Sequence, residues 1–469
     1  MSAPNTNLLN VLPNDDVLSQ CIHCGLCLSV CPTYDMTKLE RSSPRGRIKL
    51  IKSVARGELP VTDTYSYEMN FCLDCQACET ACPAGVKYGS MVEAARVEVS
   101  NSRFGLTNKE RIKKYILNNI FTSKKRFKVI ARLIYLFQKS GLQKFLHASG
   151  LFKLFPKLSE IDKLSPSVSA KFSDEIIPEY VLPDGEIKYR TAFLSGCLMN
   201  VMFSDINKDT VDVLRACGCS VYTPKEQICC GSLNAHNGEM ETAKKLAKHT
   251  IDTFIHPTAG NQPPTTNNQQ TTTNNQQTTT NIQPTTNNKP HTTNHQPYDY
   301  LISNSAGCGA FMKEYVHIFK DDPEYAEKAK IFSSKVKDFT EFLSELKVHL
   351  PLNKVDENIT YHDACHLAHT QKITAEPREV IKSIPGITYN ELEESSWCCG
   401  SAGIYNIMQY DSSMIVLKRK MENIKKINPG IVVTGNPGCI SQLRYGAKKF
   451  NVDVEILHPA TLIKRALSK

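Results

Sequence analysis

Apolar and polar positions follow two rhythms along this chain, and the change of rhythm marks its parts. The run 189–194, Tyr-Arg-Thr-Ala-Phe-Leu, reads as a buried strand that leads into Ser195-Gly196-Cys197. Helical periodicity follows over about 205–216, then a short strand at 220–222 and a second helix over about 239–254. Alternating strands and helices predict α/β units, one over 188–256 plus 298–350 and another over 351–469. Upstream, Ser43-Pro44-Arg45-Gly46-Arg47-Ile48 predicts a turn entering a helix with Pro44 in its first turn. Between 109 and 157, Phe127, Ile130, Leu133, Ile134, Phe137, Leu142, Phe145 and Leu146 recur at spacings of three and four, which predicts one apolar helical face. Residues 257–297 have no period and consist of Thr, Asn, Gln and Pro. Such a tract buries too little apolar surface to offset its ordering entropy, so a disordered insertion is expected there.

The cysteines change the picture most. Cys21-x2-Cys24-x2-Cys27-x3-Cys31-Pro32 recurs as Cys72-x2-Cys75-x2-Cys78-x3-Cys82-Pro83. This is the spacing of bacterial two-cluster ferredoxins, in which three close cysteines wrap one [4Fe–4S] cube and the fourth ligates the other cube. The expected sets are Cys21, Cys24, Cys27 and Cys82 on one cluster, and Cys72, Cys75, Cys78 and Cys31 on the other. Zinc is the competing reading of paired cysteines, but it needs only two pairs rather than two intact runs of four. Arg41, Arg45, Arg47 and Lys87 lie near these runs as candidates for tuning cluster charge, or as a solvated basic turn.

A second repeat lies in the α/β region. Cys197 precedes Cys229-Cys230-Gly231 by 32 residues, and Cys365 precedes Cys398-Cys399-Gly400 by 33. Each half then reaches a Gly-Cys pair, Gly307-Cys308 or Gly438-Cys439, expected at the end of a strand. The halves read as one unit duplicated, with the insertion in the first. Each brings four cysteines to strand ends, where open α/β sheets bind ligands: Cys197, Cys229, Cys230 and Cys308, then Cys365, Cys398, Cys399 and Cys439. A further metal or iron–sulfur centre is the sharp reading, with His236, His362, His366 and His458 as candidate contributors; buried thiols and core histidines are the bland one. The whole is expected to be α+β / α/β. A lead (1–20) and an α-helical two-cluster ferredoxin-like domain (21–100) precede a basic helical connector (101–187) and the duplicated cysteine-rich module.

Composition narrows the classes. The 18 cysteines, in a chain whose first residues carry no recognisable secretory signal, point to metal rather than disulfides. No apolar run is long enough to span a membrane. The net charge of +9 gathers between 109 and 157, where thirteen Lys or Arg face one acid, Glu110. That basic stretch suits a membrane surface, a partner or internal packing. It matches no nucleic-acid motif, so no nucleic-acid partner is expected.

Long strings carry a resemblance. They are Cys21-Ile22-His23-Cys24-Gly25, Cys31-Pro32-Thr33-Tyr34, Ser43-Pro44-Arg45-Gly46-Arg47-Ile48, 305–315 (Ser-Ala-Gly-Cys-Gly-Ala-Phe-Met-Lys-Glu-Tyr) and 398–405 (Cys-Cys-Gly-Ser-Ala-Gly-Ile-Tyr). The cysteine-rich units resemble the CCG module of heterodisulfide reductases. Outside the insertion the chain resembles iron–sulfur subunits of glycolate oxidase, also called glycolate dehydrogenase. The resemblance implies two [4Fe–4S] clusters, a flavin held only by a partner flavoprotein that oxidises glycolate or D-lactate, and a quinone-type membrane acceptor. Equivalent subunits of glycerol-3-phosphate dehydrogenase or a heterodisulfide-reductase-like enzyme are the alternative. With no secretory signal or clear transit peptide read in the sequence, an intracellular site is expected, peripheral at an energy-transducing membrane and mitochondrial in a eukaryote. Phe311 and Gln442 stand where heterodisulfide reductase modules carry a fifth cysteine, which puts a cluster of that type in doubt.

Overall fold

The computed structural model describes residues 12–102, 107–150, 156–255, 298–347 and 350–467. The expected insertion 257–297 lies outside these residues, as does most of the N-terminal lead. Helices alone build the described chain up to Ile176, and two sheets with flanking helices build the remainder. No helix of the described residues is long and apolar enough to cross a membrane.

The first helices surround the two cysteine runs. Ser43 caps the helix Pro44–Ala55 by accepting from Gly46 N, and Pro44 occupies its first turn as expected. That helix packs against Tyr88–Asn101 through Ile48, Ile51, Met91, Val92 and Ala95. Cys21, Cys27, Cys72 and Cys82 pack on this same core.

The connector contains the helices Asn108–Asn119, Lys124–Lys139, Leu142–Ala148 and Pro156–Leu164. The expected single apolar face divides here. Gly141, at φ +79°, breaks the stretch into two helices. Phe127, Ala131 and Ile134 pack on Val168, Phe172 and Val201, whereas Leu133 and Phe145 are 60% and 65% exposed. Electrostatics decides which side turns inward: Lys124 and Lys128 pair with Asp174, Arg132 pairs with Glu175, and the Arg132 guanidinium stacks over Phe172 at 4.0 Å.

Strands β1 (Tyr180–Val181), β2 (Tyr189–Leu194), β3 (Cys219–Tyr222), β4 (Tyr300–Ser303) and β5 (Val336–Asp338) form one sheet in the order β1-β3-β2-β4-β5. Strands β6 (Asn358–Tyr361), β7 (Thr388–Tyr389), β8 (Ile431–Val433) and β9 (Glu455–Leu457) form a second in the order β7-β6-β8-β9. Removing the antiparallel edge strand β1 leaves the same parallel topology twice. Parallel sheets bury both faces. Accordingly, Phe193, Val221 and Ile302 of one sheet and Ile359, Tyr361, Ile431 and Val433 of the other belong to one continuous core.

One correction concerns the Gly-Cys pairs. They do not end strands. Cys308 and Cys439 sit in the first turns of the helices Ala306–Ile318 and Pro437–Lys449, just after β4 and β8. Pro437 at the helix start explains the early change, since proline there is compatible with a first turn but not with a central strand.

Glu160 ties the connector to the second sheet's helices. It accepts from the Tyr410 hydroxyl at 2.7 Å, the Tyr445 hydroxyl and Lys449 Nζ at 3.0 Å. Burial alone would raise its pKa, but Lys163, Tyr445, Tyr410 and Lys449 outweigh burial and hold it far below the ordinary value. Glu160→Gln is expected to cost about 1–2 kcal/mol at pH 7, read by urea unfolding. Because the folded-state pKa is depressed, this stabilisation is complete above the ordinary value of 4.5 and is lost as pH falls through the folded value. The gap between wild type and variant should therefore narrow below that pH; a gap that widens would contradict the pairing.

Candidate metal centres

The two cysteine runs fold into matching loops. His23 and Gly25 flank Cys24 with φ of +56° and +88°, and Asp74 and Gln76 flank Cys75 with +54° and +59°. Left-handed residues on both sides of the middle cysteine curl each loop around its thiols. Within the second loop, Asp74 N donates to Cys72 Sγ at 3.3 Å and the Tyr88 hydroxyl donates to the same sulfur at 3.5 Å. Cys31, from the first run, lies among the second loop's thiols: Cys72 acts on it, and it acts on Cys75 and Cys78. Cys27 is acted on by Cys31 and Cys21, and burial pushes its thiol up to about 11.

A fully buried arginine tests the fit to an anionic cluster. Arg47 donates from Nε to Glu68 O (2.8 Å) and from Nη1 to Thr33 Oγ1 (3.0 Å) and Ser42 O (2.8 Å). Its Nη2 lies 3.5 Å from Glu68 yet makes no hydrogen bond. Burial opposes its charge, but Tyr88, Cys72, Cys31 and Glu68 outweigh burial and hold it protonated. A buried cation facing cysteines with a donor to spare suits an [4Fe–4S] core with four thiolates, whose net charge is negative. Of the other basic candidates, Arg45 pairs with Glu40 and donates to His23 O on the first loop. Arg41 pairs with Glu68, and Lys87 is 75% exposed beside Glu79, on the solvent side.

The duplicated cysteines gather after parallel strands, at the point where each sheet reverses its winding. The thiols of Cys197, Cys229, Cys230 and Cys308 form one group in which each acts on the next, and those of Cys365, Cys398, Cys399 and Cys439 form another. Gly231 N donates to Cys229 Sγ (3.5 Å), and Gly400 N to Cys398 Sγ (3.4 Å). In the second set the neighbouring Cys398 thiol and burial push Cys365 well up. For Cys398 and Cys399 the preceding thiol works downward but is outweighed by the next thiol and by burial. Four such thiols become thiolates together only with a cation among them, which is what a metal ion supplies.

The two kinds of site meet. Cys75 packs with Cys365 and Cys398 in one small core with Phe71, Leu73 and Tyr405, and each acts electrostatically on the next. A cavity of about 100 Å³ opens between them, lined by Cys72, Asp74, His366, Cys398, Cys399 and Cys439. Cys365 leads into a single π-helical turn, His366–Thr370. Nothing in the spacing of the cysteines signalled this docking.

The histidines separate into roles. His236 Nδ1 lies 2.5 Å from Glu93 and 3.4 Å from Asp74, and its ring stacks on His366. Burial would raise Asp74, but His236 and Arg96 hold it at about 2. Arg96 donates to Met69 O and His236 O, and a Cβ on Gly238 would come within 2.4 Å of Arg96 O. This network seats the first α/β unit on the helix Tyr88–Asn101. His458 spans Asn304 O and Ala460 N and is structural. His362 groups with the thiols of Cys399 and Cys439. Phe311 fills the core, and Gln442 bonds Asn406 and Ser413, so neither position is a ligand. Sequence reasoning missed Lys420, a fully buried cation acted on by Cys399 and Cys398. Its signal was available: it falls on the apolar stripe Val416, Leu417, Met421, Ile424 of the helix Tyr410–Ile427.

Together these define an iron–sulfur protein that couples a ferredoxin-type domain to a pair of cysteine-rich α/β units. Family models match in that order: a 4Fe-4S dicluster domain at 17–86, the linker region of the glycolate oxidase iron-sulfur subunit at 108–165, and the cysteine-rich domain at 191–263 and 359–444. The chain is 36% identical over 456 residues to the probable glycolate oxidase iron-sulfur subunit of Bacillus subtilis, covering 96% of this chain and 94% of that one. It is 26% identical over 460 residues to the glycolate oxidase iron-sulfur subunit of Escherichia coli, covering 98% and 96%. Lactate utilization protein A of Shouchella clausii matches at 26% over 268 residues, 57% of this chain and 95% of that one. The chain belongs to the family of glycolate oxidase iron-sulfur subunits.

Removing Arg47 leaves the buried carboxylate of Glu68 to Ser42 and the half-exposed Arg41 among the described residues. Arg47→Met is expected to destabilise the protein by about 3–5 kcal/mol, read as a lower urea midpoint. An unchanged midpoint would refute the structural part of its role.

Proposed function

We propose that this chain is the electron-relay subunit of a glycolate or D-lactate dehydrogenase. It takes electrons from a flavoprotein partner that oxidises glycolate to glyoxylate and passes them towards a quinone-type acceptor. Cys21, Cys24, Cys27 and Cys82 hold one [4Fe–4S] cube; Cys72, Cys75, Cys78 and Cys31 hold the other. Bound cubes supply one-electron acceptance and release, the complement of a two-electron flavin. Arg47 and Tyr88 offset thiolate charge at the inner site and shield it from water. The cysteines Cys365, Cys398, Cys399 and Cys439 form a further metal centre beside it, with Cys197, Cys229, Cys230 and Cys308 as its counterpart. The observation that carries the reading is the packing of Cys75 in one small core with Cys365 and Cys398, which brings the dicluster domain up against the second unit's cysteines. No residue of this chain acts as acid, base or nucleophile on glycolate. Relatives named for glycolate and lactate favour 2-hydroxy-acid oxidation over a glycerol-3-phosphate or heterodisulfide reaction. The exposed apolar side of the basic helix Lys124–Lys139 supports a seat at a membrane periphery.

Anaerobically purified complex is expected to contain about eight irons per chain from the two cubes. Cys75→Ser should remove about half of that iron and abolish quinone reduction. Glycolate oxidation by the complex with an artificial acceptor that takes electrons directly from flavin should persist. Quinone reduction unchanged by the substitution would overturn the relay.

A further inference from the structure

The two cysteine-rich units share topology and cysteine spacing, yet one position sets them apart. Leu194 stands three residues before Cys197, and His362 stands three before Cys365. Register confirms the equivalence. Leu194 pairs with Ser303, five residues before Cys308. His362 N donates to Val433 O, which places His362 beside Thr434, five residues before Cys439. Leu194 packs into an apolar core. His362 is equally buried, at 1% exposure, but neither ring nitrogen has a hydrogen-bond partner. The Ser395 backbone is near enough to act on the ring without meeting hydrogen-bond geometry. An imidazole stripped of water with both nitrogens unsatisfied is strongly unfavourable unless something else binds it.

A nitrogen of this ring and the sulfurs of Cys399 and Cys439 all lie within 4.8 Å of one another. Ligands of one tetrahedral zinc ion stand about 3.5–4 Å apart, given bonds of about 2.0–2.1 Å to nitrogen and 2.3 Å to sulfur. Thiolates around an iron–sulfur cube are held farther apart by the inorganic core. We propose that His362, Cys399 and Cys439 bind a single thiophilic divalent ion, a site confined to the second unit. This rests on the reading that the second unit's cysteines hold metal, and it assigns both the nuclearity and a ligand outside the cysteine set. Two of these ligands, Cys399 and Cys439, also line the cavity shared with Cys72 and Cys398. Lys420 stands behind these thiols, with Nζ donating to Ser395 O at 3.2 Å and to Glu394 O. The Ser395 carbonyl is then placed to orient the ring from its far side, as backbone carbonyls do for metal-bound histidines.

The test uses anaerobically purified full chain in its complex, with zinc as the probe. Wild type should retain one zinc per chain after desalting against a weak chelator, with the iron count unchanged. His362→Leu, which installs the residue of the first unit, and His362→Gln should each weaken zinc retention at least about 100-fold while keeping the iron. Zinc X-ray absorption of wild type should report nitrogen as well as sulfur ligands, which keeps the proposal open to refutation if either variant fails to fold. Zinc retained by both variants, or an all-sulfur shell, would overturn the assignment of His362 while leaving metal in this unit. Iron well above eight with no zinc retained would overturn the single-ion site and leave the broader reading standing. Iron near eight with no zinc retained would overturn both.

Discussion

A thiolate withdrawn from water must be given a positive partner, and that requirement organises this molecule. The inner ferredoxin-type loop has Arg47, buried completely and held by Thr33, Ser42 and Glu68, beside Cys31 and Cys72. The second α/β unit has Lys420 behind Cys398 and Cys399. Backbone groups do the same work over shorter range. Gly231 N and Gly400 N donate to the first cysteine of each pair, and Cys308 and Cys439 take the positive ends of long helices. Each device costs stability when left unpaired, so their accumulation around cysteines marks sites built for charge.

Duplication then gave two scaffolds and divergence gave them different interiors. The sheets share topology and one continuous core. Their thiol chains have different neighbours. The first unit's Cys197 and Cys229 face the connector near Phe121 and Lys128, whereas the second unit's Cys365 and Cys398 press against Cys75. A leucine in one and a histidine in the other at the same register point give only the second an imidazole among its sulfurs. The stacked pair His236 and His366 bridges the units at their seam, anchored on one side by Glu93 and on the other by Asp74 O.

The connector explains how a basic, apolar stretch can be partly internal. Its inward side was chosen by Asp174, Glu175 and the face of Phe172, which lie more than thirty residues downstream of the cations they bind. Periodicity located the apolar positions but could not know about those carboxylates. For the same reason the stripe read as one face became an inward and an outward side, broken at Gly141.

Local spacing was enough to recognise the two thiol loops, the duplicated cysteine pairs, the Pro44 helix and the strand–helix alternation. Each depends on residues within a few turns of one another, where covalent geometry limits the outcomes. The family was legible for the same reason, in short strings such as 21–25 and 398–405. Which thiols meet across the fold was not legible. The docking of Cys75 on Cys365 and the unsatisfied ring of His362 arise from contacts between segments up to several hundred residues apart. Such contacts are set by how whole helices and sheets pack, and no local pattern in the chain encodes them.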